Sequence, residues 1–505
     1  MEFSPRLNRV ACRLLGTKSD PEGGWVNVDW KEEELASDLG SLLENAVEEV
    51  RRIDALSEEE RARTLLPFTT YQYKIPASNY RLFPTSKRGY ASILKAASLW
   101  YENSPGAKLA MPVREIYDHA LHSFGDMISG DALAHYSPES EIKDVFKGIL
   151  NSRVEGASAE LAHYFPCQIF SEPCNSFNVG PVSFLSRMDW LKSVEERAGR
   201  PLLWVRIVKW REEARVPLPV SVEELREQAG AEFDGVTSDD IHDAQHALEA
   251  IGRAHLVAAV AVDRRAQSRS DECARLAATV AIDSMMLVLG HRFFQEVRAP
   301  LENISPVLLR RLRQPAFGDI PQGWTLNMPG ILGGAHRQDQ IINLTHSLRT
   351  RSGAAIAAFL WAQEAEASNR LKLHWFEGMH WMGDAWRSKS DPVALVKIGI
   401  ALDILTQGGE DFGIRRLACA LLKRTENEPL GGGCSIKVMT DAIYKKGRSQ
   451  IGHGKRLALP DEIPVDLGMA IQFGKDIFLQ YIMELDGYDG PDEFKSYVTY
   501  LGARA

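Results

Sequence analysis

What the chain lacks narrows its class before any motif is read. Six cysteines (Cys12, Cys167, Cys174, Cys273, Cys419 and Cys434) lie scattered over 505 residues without a CxxC pair. That excludes a zinc ribbon and a dense disulfide framework, so reduced, mostly buried thiols are expected. No window holds about 18 apolar residues free of charge, and MEFSPRLNRVACRLLG at the N-terminus has no uninterrupted apolar run, so a cytoplasmic protein without a membrane span is expected. No fixed-period repeat is present, which argues against solenoids and propellers. There is no G-x-S-x-G elbow, no P-loop and no G-x-G-x-x-G after a strand. The glycines of MPGILGG (328–334) lack the lysine a P-loop needs and read as a turn.

Basic charge is also short overall. The formal net charge is -9, which argues against a protein that coats nucleic acid non-specifically, since phosphate binding needs concentrated Lys and Arg. With 45% hydrophobic and 25% charged residues, the composition is that of an ordinary globular protein, and the length implies two or three domains.

Apolar spacing organises the chain. Between Lys31 and Glu60, eleven acidic residues accompany three basic ones while Leu35, Leu39, Leu42, Ala46, Val50 and Ile53 recur at helical spacing, predicting an amphipathic helix with an acidic outer face. Ser57 and Glu60 form a possible capping box, and 66–88, with Pro67, Pro76 and Pro84, reads as irregular. Residues 163–185 (HYFPCQIFSEPCNSFNVGPVSFL) suit short strands joined by turns, and 202–210 (LLWVRIVKW) suits a further strand. Beyond about Ser221 the pattern reads as helix, with Ser238 as an N-cap, interrupted by a Pro/Gly-rich linker or loop at 315–334.

From Ala367 onward five helices are predicted, at 371–386, 393–406, 414–423, 436–451 and 467–485. Their separators are Ser390-Asp391-Pro392, Gly408-Gly409, Gly431-Gly432-Gly433 and 460–464. The expected architecture is mainly α, with a mixed α+β N-terminal region (1–215), a mainly helical middle (216–365) and a helical bundle (366–505).

The most informative stretch is YKKGRSQIGHG (444–454). Between Cys434 and Pro460, Lys437, Lys445, Lys446, Arg448, Lys455 and Arg456 stand against Asp441 alone, a local basic patch in an acidic chain. Tyr444, four residues before Arg448, lies within reach of its guanidinium on a helix. On a continued α-helix Arg448 and His453 stand about 140° apart, a constraint that Gly447, Gly452 and Gly454 loosen. Arginine binds phosphate through a planar fork, and histidine, with an ordinary pKa near 6.5, exchanges protons at neutral pH. The bland reading makes Arg448 a helix-end charge and His453 a turn residue.

A glycine-flanked RSQIGHG ending one helix, after a helix containing ALDIL (401–405), resembles the Apea-like branch of the HEPN superfamily over roughly residues 367–490. The resemblance implies a HEPN-type helical bundle with an R-x4-6-H motif and metal-independent endoribonuclease activity in prokaryotic anti-phage defence or stress. It implies attack of the substrate's own 2′-OH on the adjacent phosphate, leaving a 2′,3′-cyclic phosphate and a 5′-OH. Arg448 and His453 would then be catalytic, Ser449 and Tyr444 supporting, and Lys445, Lys446, Lys455 and Arg456 RNA-binding. Many members carry Asn, Asp or His directly after the arginine, where this chain has Ser449.

One histidine does not readily serve both the 2′-OH and the 5′ oxygen, and the family pairs two motifs across a dimer. The expected partners are therefore RNA, a second copy through the C-terminal bundle, and a phage or cellular trigger at the N-terminal part, which would sense it or restrain the nuclease. No metal or other cofactor is expected.

Two other classes compete. A non-catalytic bundle would mediate dimerisation or binding alone, and a metal-dependent hydrolase would use His242 and His246 of HDAQH with Asp239, although Asp243 stands where a zincin needs Glu. Arg310, Arg311 and Arg313, with Arg349 and Arg351, form two short basic clusters that could extend an RNA path, although singly they read as ordinary surface charges. Trp375, Trp381 and Trp386 read as core or a dimer face.

Overall fold

A computed structural model describes residues 37–55, 87–129, 139–289, 307–312, 322–327, 334–361, 369–430, 434–451 and 466–504, apart from single positions 168, 171, 220, 234, 253 and 389. The chain divides into two compact units, Met1–Leu99 with Phe124–Phe146 and Trp100–Ser123 with Lys147–Ala505. Mostly helix, with a small antiparallel sheet, is what the described residues form.

The first unit holds α1 (Leu39–Asp54) and most of α2 (Lys87–Glu102). Leu39, Leu42, Ala46 and Val50 of α1 are buried, as the apolar spacing predicts, and Leu43 and Val47 are buried beside them. The Ser57/Glu60 cap and most of the irregular stretch at 66–88 fall outside the described residues, and α2 already begins at Lys87.

In the second unit come α3 (Pro105–Ala110), α4 (Val113–Ser129, running into the first unit) and α5 (Glu139–Ala157, running out of it). Next are β1 (Ala159–Cys167), β2 (Phe177–Val179) and β3 (Val182–Ser186). They are followed by α6 (Arg187–Ala198), α7 (Leu203–Ala214), α8 (Val222–Ala229), α9 (Ser238–Ile251) and β4 (Leu256–Arg265). The four strands form one antiparallel sheet in the order β1-β4-β3-β2, with Phe165 and Phe184 both opposite Ala258.

The sheet has two buried faces. Leu256, Ala258, Val260 and Val262 of β4 face the main core, whereas Val257 packs with Trp190, Val205, Val208, Phe233 and Ile241 from the helices on the other side. Successive side chains of a strand point to opposite faces, and burial on both sides holds over 256–258, while Ala259 is half-buried and Ala261 exposed; the small alanines keep LVAAVAV a continuous apolar run. Such a run is not separable from buried helix by periodicity, which is why a helical reading beyond Ser221 missed β4.

The expected strand at 202–210 is a correction in the opposite direction. These residues form α7, with Val205 and Val208 buried at helical spacing and Lys209 paired to Glu195 of α6 at 2.5 Å. The N-cap of α9 is Thr237, one residue before Ser238, in a capping box with Asp240.

The long α10 (Gln267–Leu289) is buried on every side over 280–287. Strands β5 (Val307–Leu312) and β6 (Gln322–Asn327) pair antiparallel, so part of the expected 315–334 linker is strand. Then come α11 (Ala335–Leu344) and α12 (His346–Leu360). Gly353 of α12 meets Gly180, which takes φ +58 in the β2–β3 turn, so closely that a Cβ on either would overlap the other's backbone.

The C-terminal helices are α13 (Arg370–Trp386), α14 (Asp391–Leu405), α15 (Glu410–Leu422), α16 (Ile436–Thr440), a π-helical segment (Asp441–Ile451), α17 (Leu467–Leu485) and α18 (Phe494–Ala503). The five predicted helices are present with ends shifted by a few residues, and α18 is additional. Pro392 opens α14, while Ser435 and Asp466 cap α16 and α17 by accepting from Val438 N–H and Met469 N–H. Trp375 is fully buried and its Nε1 donates to the Phe478 carbonyl at 3.0 Å, and Trp386 is buried as well, so these two indoles belong to the core.

Among the described residues no single helix is long and apolar enough to cross a membrane. Cys167 and Cys273 are buried, Cys174, Cys419 and Cys434 half-buried, and all five are free thiols.

Candidate functional site

Position 448 takes its geometry from an unusual local winding. From Asp441 to Ile451 the helix runs in the π form, hydrogen-bonded i→i+5, which is rare beyond a single turn and recurs at functional sites. The angular estimate from α-helical winding therefore does not apply to this segment. Gly399 of α14 and Gly447 let two backbones approach: a Cβ at 399 would lie 2.9 Å from Arg448 Cβ, and one at 447 would lie 2.9 Å from Leu395 Cγ.

Arg448 is held at three points. Its Nη1 donates to Tyr444 Oη at 2.7 Å, its guanidinium carbon lies 5.0 Å from the centroid of the same ring, and its Nη2 pairs with Asp403 Oδ2 at 2.9 Å. Tyr444 and Arg448, four residues apart, are thus in contact. The other Asp403 oxygen accepts the Glu410 backbone N–H at 3.1 Å. Burial pushes the Asp403 carboxyl up from its ordinary range, opposed by Arg448 and by that N–H. The buried Tyr444 phenol is raised too, chiefly by burial and then by Asp403.

Asp403 lies within ALDIL, but its role was not visible in the sequence. Leu395, Gly399 and Asp403 are spaced i, i+4, i+8, one ridge of a helix, and that spacing is the signal which could have found it.

Two members of the expected basic patch, Lys445 and Arg448, are paired with acids. Lys445 bonds Asp411 and Asp441, each at 2.9 Å, and Arg415 bonds the same two acids at 3.1 and 3.2 Å and Glu426 at 3.2 Å. Those hydrogen bonds raise Lys445 above its ordinary pKa. Asp411 comes from α15, about 30 positions upstream, so a local count along the sequence misses it. Lys446 is exposed and Ser449 half-buried. His453, Lys455 and Arg456 lie outside the described residues.

The remaining sequence candidates are not brought to this centre. His242 and His246 are exposed on α9 with ring centroids 4.1 Å apart, and among the described residues no group of three His, Cys, Asp or Glu side chains comes together to hold a metal. Arg349 is buried, donating to the Asn178 and Ile342 carbonyls at 2.7 and 2.9 Å, and Arg351 pairs with Asp486 at 3.2 Å. These two are clips between elements and not part of an open basic path. Arg310 and Arg311 fall on β5, and Arg313 lies outside the described residues.

Chemically, the centre is a guanidinium fixed by a carboxylate and a phenol, about one-third exposed. Arginine has five N–H donors in a planar fork, and the Tyr444 and Asp403 contacts leave others for an oxyanion. Fold and site together define a mainly helical protein whose C-terminal helices carry an Asp–Arg–Tyr centre. No protein-family model, curated protein or solved structure matches the chain.

Proposed function

We propose that this protein is a metal-independent endoribonuclease of HEPN type, acting in prokaryotic anti-phage defence or stress response. The observation that carries the reading is Arg448, partly exposed at the end of a π-helical segment and fixed by Tyr444 and Asp403. In the sequence His453 follows it by five residues. His453 lies outside the described residues, so its pairing with Arg448 belongs to the proposal and rests on the sequence spacing alone.

In the proposed reaction the substrate 2′-OH attacks the neighbouring phosphorus and the bond to the 5′ oxygen breaks. Arg448 stabilises charge developing on the phosphorane oxygens, a task for a preorganised donor in a fixed place. His453 moves a proton, as a base at the 2′-OH or an acid at the 5′ oxygen. A two-fold dimer supplies the second histidine, and the residues before the bundle sense a trigger or restrain the enzyme.

A second reading has its own support. Pairing of Arg448 with Asp403, and of Lys445 with Asp411 and Asp441, lowers the positive field that RNA would meet, which suits a non-catalytic HEPN module for dimerisation or binding. Incubation with total RNA in the presence of a chelator separates the two. The nuclease reading expects fragments with cyclic-phosphate ends from wild type and none from His453→Ala, and a dimer without cleavage favours the second reading.

A further inference from the structure

We propose that Asp403 is the positioning residue of the Arg448 centre, and that α14 is shaped by two close backbone approaches to deliver it. The inference rests on the nuclease reading for its catalytic consequence, but its structural content stands on geometry alone.

The ridge Leu395, Gly399, Asp403 runs along one side of α14. At its first position Leu395 fills the space beside Gly447, where no side chain fits. At its second, the absence of a Cβ on Gly399 lets the Arg448 stem lie against the α14 backbone. At its third, one helical turn further on, the Asp403 carboxylate meets the guanidinium at 2.9 Å. Each contact sets up the next.

Asp403 is itself immobilised. One oxygen takes the Glu410 N–H, the first residue of α15, which adopts φ +55, so the carboxylate is fixed by backbone and only its other oxygen turns to Arg448. A long arginine would otherwise sample many rotamers, and ordering it in advance removes that entropy from the reaction step. Tyr444 holds the opposite nitrogen. Asp403 therefore acts through Arg448 without needing to touch substrate.

A competing role follows from the same contact: a carboxylate on the guanidinium also occupies a place where a phosphate oxygen could bind, so Asp403 could silence Arg448. The remaining donors of the fork and its one-third exposure favour positioning.

The test uses full-length Asp403→Asn and Gly399→Ala proteins, with Arg448→Ala and His453→Ala as references, all with folding verified. In wild type labelled at arginine nitrogens, the two Nη groups of Arg448 give separate, slowly exchanging signals, which coalesce in Asp403→Asn. With single-stranded RNA in chelator, kcat falls about 10- to 100-fold, the range for orienting groups, while KM stays within about threefold. Gly399→Ala shifts both readouts in the same direction and decides the matter if Asp403→Asn does not fold. Separate Nη signals retained in Asp403→Asn overturn the proposal, as does wild-type kcat. A raised kcat overturns it in favour of a silencing role. If His453→Ala cleaves like wild type, or wild type does not cleave, the nuclease reading fails, and the Nη signals still decide the positioning claim.

Discussion

Two of the aspartate–arginine pairs in the second unit, Asp283–Arg387 and Asp403–Arg448, sit in different environments. Asp283 of α10 pairs with Arg387 just beyond α13, with side chains 1% and 21% exposed, whereas Asp403 and Arg448 are 11% and 31% exposed. Both use a glycine as a seat: the Asp283 carboxylate presses on Gly383, and the Arg448 stem on Gly399. In the first pair the acid is wholly buried, with Asp283 Oδ2 unpartnered and its carboxyl raised chiefly by burial. The second leaves part of its cation to solvent. An ion pair is thus a clasp or a candidate site according to whether its guanidinium can still meet a ligand.

The sharpest way to break this contrast is to remove each acid. Asp283→Ala removes the wholly buried half of the first pair and should cost about 3–5 kcal/mol, the range for breaking a buried pair, whereas Asp403→Asn should cost about 1 kcal/mol. Urea unfolding of both variants measures the difference, and equal losses would dissolve the distinction.

The glycine seats give a second, smaller contrast. Gly383→Ala drives a methyl group into the Asp283 carboxylate and should destabilise by about 1–3 kcal/mol, the usual cost of overpacking. Gly399→Ala meets a flexible arginine stem and should affect activity more than the unfolding midpoint.

The smallest effect concerns pH. His380, beside the first pair, has a pKa lowered chiefly by burial, with Asp283 and Asp384 opposing. Between pH 6.5 and its lowered folded value the unfolded chain takes up a proton that the folded chain refuses. Stability therefore falls on acidification through that window, and His380→Gln should flatten part of the fall between pH 7.5 and 5.5. An unchanged slope in the variant would remove His380 from the account.

Much of this architecture was legible in the residues. Helix-stopping and helix-starting signals at Pro392, Gly408-Gly409 and 431–433 located α13 to α17 closely, because caps act locally. Arg448 and Tyr444 were legible for the same reason, as neighbours on one helix face. What failed depended on contacts distant in sequence. Residues 256–262 look alike whether buried in helix or sheet, and 202–210 alternates while folding as a helix packed under Trp190. Local charge counting missed Asp403 and Asp411, which reach Arg448 and Lys445 of the basic patch from other helices. The π winding has no simple residue signature, since propensity and apolar spacing read 436–451 as ordinary helix.

The most direct measurement is end-group analysis of RNA incubated without divalent metal with wild-type, Arg448→Ala and His453→Ala protein. The account predicts 2′,3′-cyclic phosphate and 5′-OH ends from wild type and none from either variant. Cleavage that persists undiminished in His453→Ala, or that requires an added metal ion, would contradict it.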